Sequence, residues 1–350
     1  MGAEGMDPVE KPRAAVMEDV AELAGVSAMT VSRVLNAPEK VRPETRARVL
    51  AAVRELDYRP NSAARVLATG RSGVLGVVSF DTTLYGPAST LYGIEQAARE
   101  HDYLISIVSL SALNRRSIGE GVERLRSQSV DGIIIVAPHE SAAEGLRNLP
   151  PDLPLVVVGA AEEIPFPLAA VDQTSGAVKA TRHLLSLGHE TVWQLAGPAN
   201  WIDAGRRTIG WRQVLEDGGR DVPEPLPGDW SAQSGYEHGR RIARDPAVTA
   251  VFAANDAMAL GLLRALHEAG RRVPADVSVV GFDDVPESGY FSPPLTTVRQ
   301  NFGEVGRRAF QLLLGRLDDS GATAIPARRF VEPELVVRES TGIVSAGRAR

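Results

Sequence analysis

The residues whose types and spacing could do chemistry fall in two stretches. In residues 17–36, MEDVAELAGVSAMTVSRVLN, one helical run stops at Gly25 and a second starts after Ser27. Val20, Leu23 and Ala24 share an apolar face in the first run, and Val31, Val34 and Leu35 share one in the second. Met29, Thr30 and Arg33 then point elsewhere. Two short helices about a glycine turn, with polar and basic residues outward, form the helix-turn-helix pattern, whose second helix fits the DNA major groove. Helix pairs of this kind also serve as plain packing units, so the spacing alone leaves both readings open. The other stretch holds the adjacent acids Asp283 and Asp284 at the end of VSVVGFDD. Neighbours on a strand end point in different directions, which argues against an acid–base pair. His183 and His189 flank a helix end and the Gly188 turn and read as surface or turn residues rather than metal ligands. No GxxxxGK, GxGxxG, HExxH or GxSxG motif is present, so the expectation is a protein that binds rather than catalyses, without metal or cofactor.

The elements that must position these residues follow from periodicity. In RPETRARVLAAVRELDY, Pro43 suits a first helical position, and Val49, Val53 and Leu56 recur at helical spacing, predicting a third helix that closes a miniature core. Arg42 stands where a hydroxyl or small capping residue is expected. After Arg59-Pro60, the segment NSAARVLATGRSG predicts a helix of about two turns, too short to be stable alone in water. From Gly73 onward, apolar runs such as GVLGVVSF, YLISIVS, DGIIIVAP, PLVVVGA, TVWQLAG, AVFAAND and VSVVGFDD alternate with amphipathic helices, the pattern of parallel strands buried on both faces. The series restarts near residue 190, which predicts two similar α/β lobes with a cleft between them.

Composition sets the outer limits. At 350 residues the chain exceeds one ordinary domain, and its 44% hydrophobic and 23% charged residues are those of a folded globular protein. The absence of cysteine excludes a disulfide framework, a thiolate metal site and a cysteine nucleophile. No run approaches the roughly 18 apolar residues of a membrane span, and no secretory pattern opens the chain. A cytoplasmic, nucleoid-associated protein with no membrane partner is expected. The net charge of -6 hides an asymmetry: residues 26–72 hold nine basic residues against four acids, while residues 73–350 hold 27 against 34. A basic module is joined to an acidic one, and neutralising phosphates is the chief source of non-specific DNA affinity.

MEDVAELAGVSAMTVSRVLN and NSAARVLATGRSGVLGVV resemble the DNA-binding headpiece and hinge of the LacI/GalR family of transcription factors. The resemblance continues through LAGP (195–198), GDWSAQSG (228–235), ANDAMALG (254–261), VPADVSVVGFDD (273–284) and PPLTTVRQNF (293–302), and so covers nearly the whole chain after about residue 15. It is nearest to the family's lactose-responsive branch. It implies an all-α helix-turn-helix headpiece joined to a two-lobed α/β core like that of the periplasmic sugar-binding proteins. The implied layout is a disordered lead-in at 1–14, a headpiece at 15–60, a hinge helix and linker at 61–72, a core at 73–342 and a tail at 343–350. Within the core, one lobe takes 73–172 with 301–329 and the other 173–300 with 330–342.

Carried over residue by residue, the resemblance makes Ala28, Met29 and Arg33 base-reading positions. Arg33 has a physical warrant, since a guanidinium can bond guanine O6 and N7 together, and Ala28 and Met29 suit thymine methyl groups. Ser27, Thr30, Ser32 and Asn36 would bind phosphates, although Ser27 could equally be a helix cap. In the hinge, Leu67 with Ala64 beside it resembles the apolar wedge that family members insert into the minor groove. For the effector, the resemblance implies Arg207, Asn255 and Asp283 as polar contacts and Trp230 and Phe302 as aromatic ones. Asp283 as a cap, Asn255 as a turn brace and Trp230 as core are the alternatives. Gly159 stands where the lactose-responsive branch has a strand-end aspartate, which removes one hydroxyl-binding carboxylate. The expected function is a homodimeric repressor of a palindromic operator in double-stranded DNA, released by a small carbohydrate such as a galactoside. A repressor answering to a purine or nucleoside, or acting with a corepressor, is the alternative; a stand-alone solute-binding protein would leave residues 16–72 without a purpose.

Overall fold

The structure, a computed structural model, describes residues 15–36, 38–58, 70–159, 164–318 and 327–344. The chain divides into two compact units, Met1–Ser72 and Gly73–Arg350.

In the first unit the helices are α1 (Met17–Ala24), α2 (Ala28–Asn36) and α3 (Pro43–Glu55), with a 3-10 turn at Pro38–Lys40. The Val16 amide donates to the Asp19 carboxylate at the start of α1. Gly25 ends that helix with φ of 64°, a left-handed conformation that glycine adopts without strain. The Ser27 hydroxyl accepts from the Thr30 amide at 3.3 Å and so caps α2. Pro43 opens α3, where an amide hydrogen would have no partner. Arg42 before it makes no side-chain cap, and nothing in the structure explains that residue. Val20, Ala21, Ala24, Val31, Val34, Val49, Ala52 and Tyr58 form the core. Leu23 departs from expectation at 47% exposed, because the buried stripe of this short helix runs through Val20, Ala21 and Ala24 and leaves Leu23 off its flank. The expected hinge helix with Ala64 and Leu67 and the lead-in at 1–14 lie outside the described residues, as does the tail beyond residue 344.

The second unit contains two sheets. One lobe holds strands β1 (Val74–Phe80), β2 (Leu104–Leu110), β3 (Gly132–Val136), β4 (Leu155–Val158), β5 (Leu168–Val171) and β11 (Arg328–Val331). Its helices are α4 (Tyr85–Arg99), α5 (Arg115–Ser127), α6 (Ala142–Arg147) and α11 (Phe302–Asp318). The other lobe holds β6 (Trp193–Ala196), β7 (Leu226–Pro227), β8 (Ala250–Ala253), β9 (Ser278–Asp283), β10 (Thr296–Arg299) and β12 (Glu334–Val336). Its helices are α7 (Gln173–Ser186), α8 (Ile202–Asp217), α9 (Ala232–Ile242) and α10 (Asp256–Glu268). The spatial orders are β11-β5-β4-β3-β1-β2 and β12-β10-β9-β8-β6-β7. The first five strands of each lobe thus repeat one doubly wound topology. Pairings are parallel except for β12 against β10, which is antiparallel.

The all-apolar runs form strands, as their patterning predicts, and all five residues of β3 are buried. The β2 run differs: it is the outermost strand of its sheet, and Leu104 and Ile107 are 71% and 49% exposed. The chain crosses between lobes after β5, after β10 and after β11. The last crossing falls beyond Val331, not between residues 329 and 330, because β11 stays in register with β5 through the pair Val331 and Val171. Among the described residues, no helix is long and apolar enough to cross a membrane.

The second lobe depends on the close crossing of α9 and α10. A Cβ placed on Gly261 would lie 1.9 Å from the Ala232 carbonyl oxygen and 2.6 Å from the Tyr236 nitrogen. Both obstacles are backbone and cannot rotate away. G261A is therefore expected to lower stability by about 2–3 kcal/mol or more through overpacking, read as an earlier urea midpoint for the second unit.

Candidate functional site

In each lobe the strand order reverses beside the first strand, between β1 and β3 and between β6 and β8, and ligands of open α/β sheets bind outside the strand ends at such points. Here the strand ends of both lobes open onto one cavity of about 320 Å³. Arg207, Trp230, Asn255, Asp283 and Phe302, the expected cleft residues, all line it. So do Tyr85, Gln173, Trp201, Asp203 and Gln300, which sequence reasoning missed.

The polar wall is organised around Arg207, which α8 presents almost fully buried. Its Nε donates to Gln173 Oε1 at 2.9 Å, and Nη1 donates to the Ala254 carbonyl. Gln173 Nε2 donates in turn to Gln300 Oε1 at 2.8 Å, and Gln300 Nε2 donates to Asp283 Oδ1 at 2.6 Å. Asp283 lies 3.8 Å from Arg207 Nη2, which closes a ring of four side chains. Gln173 and Gln300 sit on two of the segments that cross between lobes, so the ring ties the crossings to the cavity wall. The guanidinium carbon also lies 3.9 Å from the centre of the Phe282 ring and 5.5 Å from that of Trp230.

Backbone strain gathers at the same place. Trp230 has φ of 72°, Asp283 of 117° and Asp284 of 54°, conformations uncommon for residues with side chains. Asn255 holds the first of these: its Nδ2 donates to the Trp230 carbonyl at 3.0 Å while its Oδ1 accepts from the Met258 amide and caps α10. The bracing role and a place on the cavity wall therefore coexist in Asn255. Asp283 faces the cavity and caps no helix, whereas Asp284 accepts from Arg299 and Arg338 at 2.7 and 2.6 Å. Asp256 binds the following loop and β10, accepting from Ser288 Oγ, Thr297 Oγ1 and the Val285 amide at 2.6, 2.6 and 3.0 Å.

Two edge-to-face aromatic pairs complete the lining: Trp201 with Trp230, centroids 5.6 Å apart, and Tyr85 with Phe302 at 5.9 Å. The lobes also touch away from the crossings. The Ile202 amide donates to the Pro138 carbonyl at 2.9 Å, the Glu140 amide donates to the Asn200 carbonyl at 3.2 Å, and the His139 ring packs 4.8 Å from that of Trp201. Gly159 lines the cavity and contributes no side chain. His183 and His189 take separate hydroxyl partners, Thr341 and Thr249.

In the first unit, α2 presents Met29, 71% exposed, and Arg33, also exposed, one turn apart. Ala28, Thr30 and Ser32 are partly exposed, and the hydroxyls of Ser27 and Thr30 lie 3.0 Å apart. Asn36 ends the helix, and its side chain lies outside the described residues.

Comparison with known proteins adds five findings. Residues 16–61 match the family described as bacterial regulatory proteins, lacI family, and residues 181–341 match the periplasmic binding protein-like domain. The chain is 34% identical over 340 residues to the lactose operon repressor of Klebsiella pneumoniae, spanning 97% of this chain and 95% of that one. It is 30% identical over 334 residues to the HTH-type transcriptional repressor PurR of Haemophilus influenzae, spanning 93% of this chain and 98% of that one. The crystal structure of the lac repressor dimer bound to operator and the anti-inducer ONPF superposes with a TM-score of 0.81 at 32% identity, covering 94% of this chain and all of that one.

Among the described residues, Arg207 is the one cation of the cavity wall, with Asp203 and Asp283 on the wall and Asp256 outside it. Burial, opposed by Arg207 and reinforced by Asp256, pushes Asp283 up from 3.8 to about 7. Burial likewise pushes Asp256 up to about 6, raises Asp203 and lowers Arg207. An acid whose pKa is higher folded than unfolded holds its proton in the folded state over a range where the unfolded state has lost it. Asp283 thus makes stability fall as pH rises from near its unfolded value to about 7, after which its contribution is flat. D283N is expected to remove a decline on the order of 2–3 kcal/mol between about pH 5 and about pH 8, measured as a flatter dependence of the urea midpoint on pH.

Proposed function

The chain belongs to the lacI family of bacterial regulatory proteins as a transcriptional repressor, and from that premise we propose that a small carbohydrate seated in the interlobe cavity releases it from a palindromic operator. The cavity's lining carries the proposal. It combines planar polar groups able to bond hydroxyls, Arg207, Asn255 and Asp283, with aromatic faces, Trp230 and Phe302, suited to the apolar side of a sugar ring. On this reading Asp203 is a further hydroxyl acceptor.

In the headpiece, Ala28, Met29 and Arg33 read bases while Ser27, Thr30, Ser32 and Asn36 hold phosphates. Ala64 and Leu67 form the hinge wedge in the minor groove. A palindromic site calls for two headpieces, hence a homodimer. The exposed apolar residues of the core, Leu104 and Ile107 on the first lobe and Leu260 and Tyr290 on the second, suit a partner copy. Sugar binding acts through the ring of Arg207, Gln173, Gln300 and Asp283: a ligand that engages Arg207 and Asp283 pulls on two of the segments that set the lobe angle. Linkage then requires operator DNA to weaken sugar binding by the same factor that sugar weakens operator binding.

The test is operator affinity at fixed salt, on a palindromic fragment, with and without galactosides, glucosides, pentoses and nucleobases. One sugar is expected to weaken binding by about 5- to 150-fold, and R207K is expected to keep operator affinity while losing that response. Release by a nucleobase and by no sugar would transfer the cavity to the other ligand class. In the headpiece, R33A is expected to cost about 1–3 kcal/mol and to relax preference at one base pair of each half-site, measured by titrating single-base variants of the operator.

A further inference from the structure

Beside the cavity, the lobes are joined by a short clasp whose central side chain is a histidine. The segment after β3 runs antiparallel to the segment before α8, with His139 bridged to Trp201 and backbone bonds on either side, from the Ile202 amide to the Pro138 carbonyl and from the Glu140 amide to the Asn200 carbonyl. The His139 ring lies against Phe80 of the first lobe and Trp201 of the second, each centroid 4.8 Å away. Its Nδ1 accepts from Asn200 Nδ2 at 3.4 Å, while Nε2 is enclosed and has no partner among the described residues. The other histidines do not face across the lobes. His101 bonds the Ala97 carbonyl within the first lobe, and His183, His189 and His238 bond Thr341, Thr249 and the Pro227 carbonyl within the second. His267 is exposed on α10.

A neutral imidazole fits this clasp and an imidazolium does not. The cation carries two N–H donors, one of which would meet the Asn200 donor while the other stays enclosed, and its charge would have to leave water. The surrounding charges do not reverse this. Asp81, just past β1, favours the proton, but its carboxylate is engaged by the Thr83 amide and hydroxyl. Glu140 and Glu144 on the same lobe are exposed, Asn200 and Trp201 opposite are uncharged, and Asp203 beyond them acts on Arg207. Burial outweighs Asp81 and holds His139 below its ordinary 6.5, a value that returns when the ring meets water. The joined arrangement therefore keeps its full advantage above 6.5 and loses it as pH falls from there through the lowered value.

We propose that this clasp is a proton-sensitive latch between the lobes: a proton taken up by His139 breaks the contacts between residues 138–140 and 200–202, and acid frees the lobes to separate. The latch operates whatever ligand fills the cavity. Its test is the lobe separation of the full chain without ligand. Because the chain has no cysteine, spin labels can be set at E123C on α5 and E216C on α8, both exposed, and labelled chain diluted with unlabelled chain gives the distance within one subunit by double electron–electron resonance. Between about pH 8 and about pH 5.5, the ratio of separated to joined lobes is expected to rise by about three- to tenfold. H139F keeps a ring in the clasp without a titrating nitrogen, and H139Q keeps a polar group there; each is expected to give one distribution at both pH values. A wild-type distribution that stays the same overturns the proposal. So does a shift that persists in either variant, which would assign the response to Asp256 or Asp283, the buried acids that also titrate in this range.

Discussion

One buried guanidinium sets the terms for the second unit. Arg207 is almost fully enclosed, and a charge so placed is tolerated only when its donors are matched and counter-charges stand close. The structure meets that demand with a carbonyl at Ala254, an amide at Gln173, the Phe282 ring and the carboxylate of Asp283. Several otherwise odd features follow from it. The left-handed backbone at Asp283 turns its carboxylate towards the cavity while the next residue, Asp284, turns away to Arg299 and Arg338. Trp230 adopts positive φ beside the same guanidinium and is held there by Asn255. Strain of this kind persists only where neighbouring interactions over-determine it, and here the bonds to Asn255 and Gln300 supply that excess.

The same demand joins the cavity to the lobe geometry. Gln173 and Gln300 satisfy Arg207 and Asp283 from segments that the chain must use to pass between lobes. Rotating one lobe against the other moves these amides, and moving them leaves buried polar groups unmatched, at about 1–3 kcal/mol for each one lost. Intermediate lobe angles are therefore penalised more than arrangements in which the ring is complete. The backbone bonds between residues 138–140 and 200–202 add a second interlobe restraint, built without any crossing strand. A protein that must hold few discrete states is well served by restraints of this directional kind.

The parts of this structure that local pattern determines were legible in the sequence. Continuous valine and isoleucine runs such as DGIIIVAP became parallel strands, Gly25 and Pro43 took the helix-end positions their backbones favour, and the restart near residue 190 was a real repeat of topology. What escaped notice depends on partners distant in the chain. YLISIVS reads as a strand buried on both faces, yet β2 is outermost, because neighbours and not composition decide which strand is last. Gln173 and Gln300 gave no warning singly, since a glutamine after a strand is usually solvated. The shared placement of each, just past a strand at a lobe crossing, was a signal that comparing the two lobes could have found. Asp203 hid in a helix start, where an acid has an ordinary use against the helix dipole. The third crossing was misplaced by two residues because β11 ends through its register with β5, which has no mark in its own sequence.

The two lobes share a topology and differ in what they show to the cavity, and that difference bears on how a ligand could move them. A ligand shifts a conformational equilibrium only by the difference in its affinity for the two states. Contacts confined to the polar wall lie within one lobe and its crossings, so much of their energy is the same whatever the angle of the opposite lobe. Contacts with the hydrocarbon wall of the first lobe, Val136, Val158 and Val305, are of another kind, because they exist only when that lobe lies close enough to exclude water from the ligand's far side. Directional groups on one wall hold and orient the ligand, while area-dependent contact with the other wall varies with lobe separation. The hydrocarbon wall is thus the side on which binding energy can report the angle between the lobes, and the amide ring at the crossings is the structure through which that angle is held.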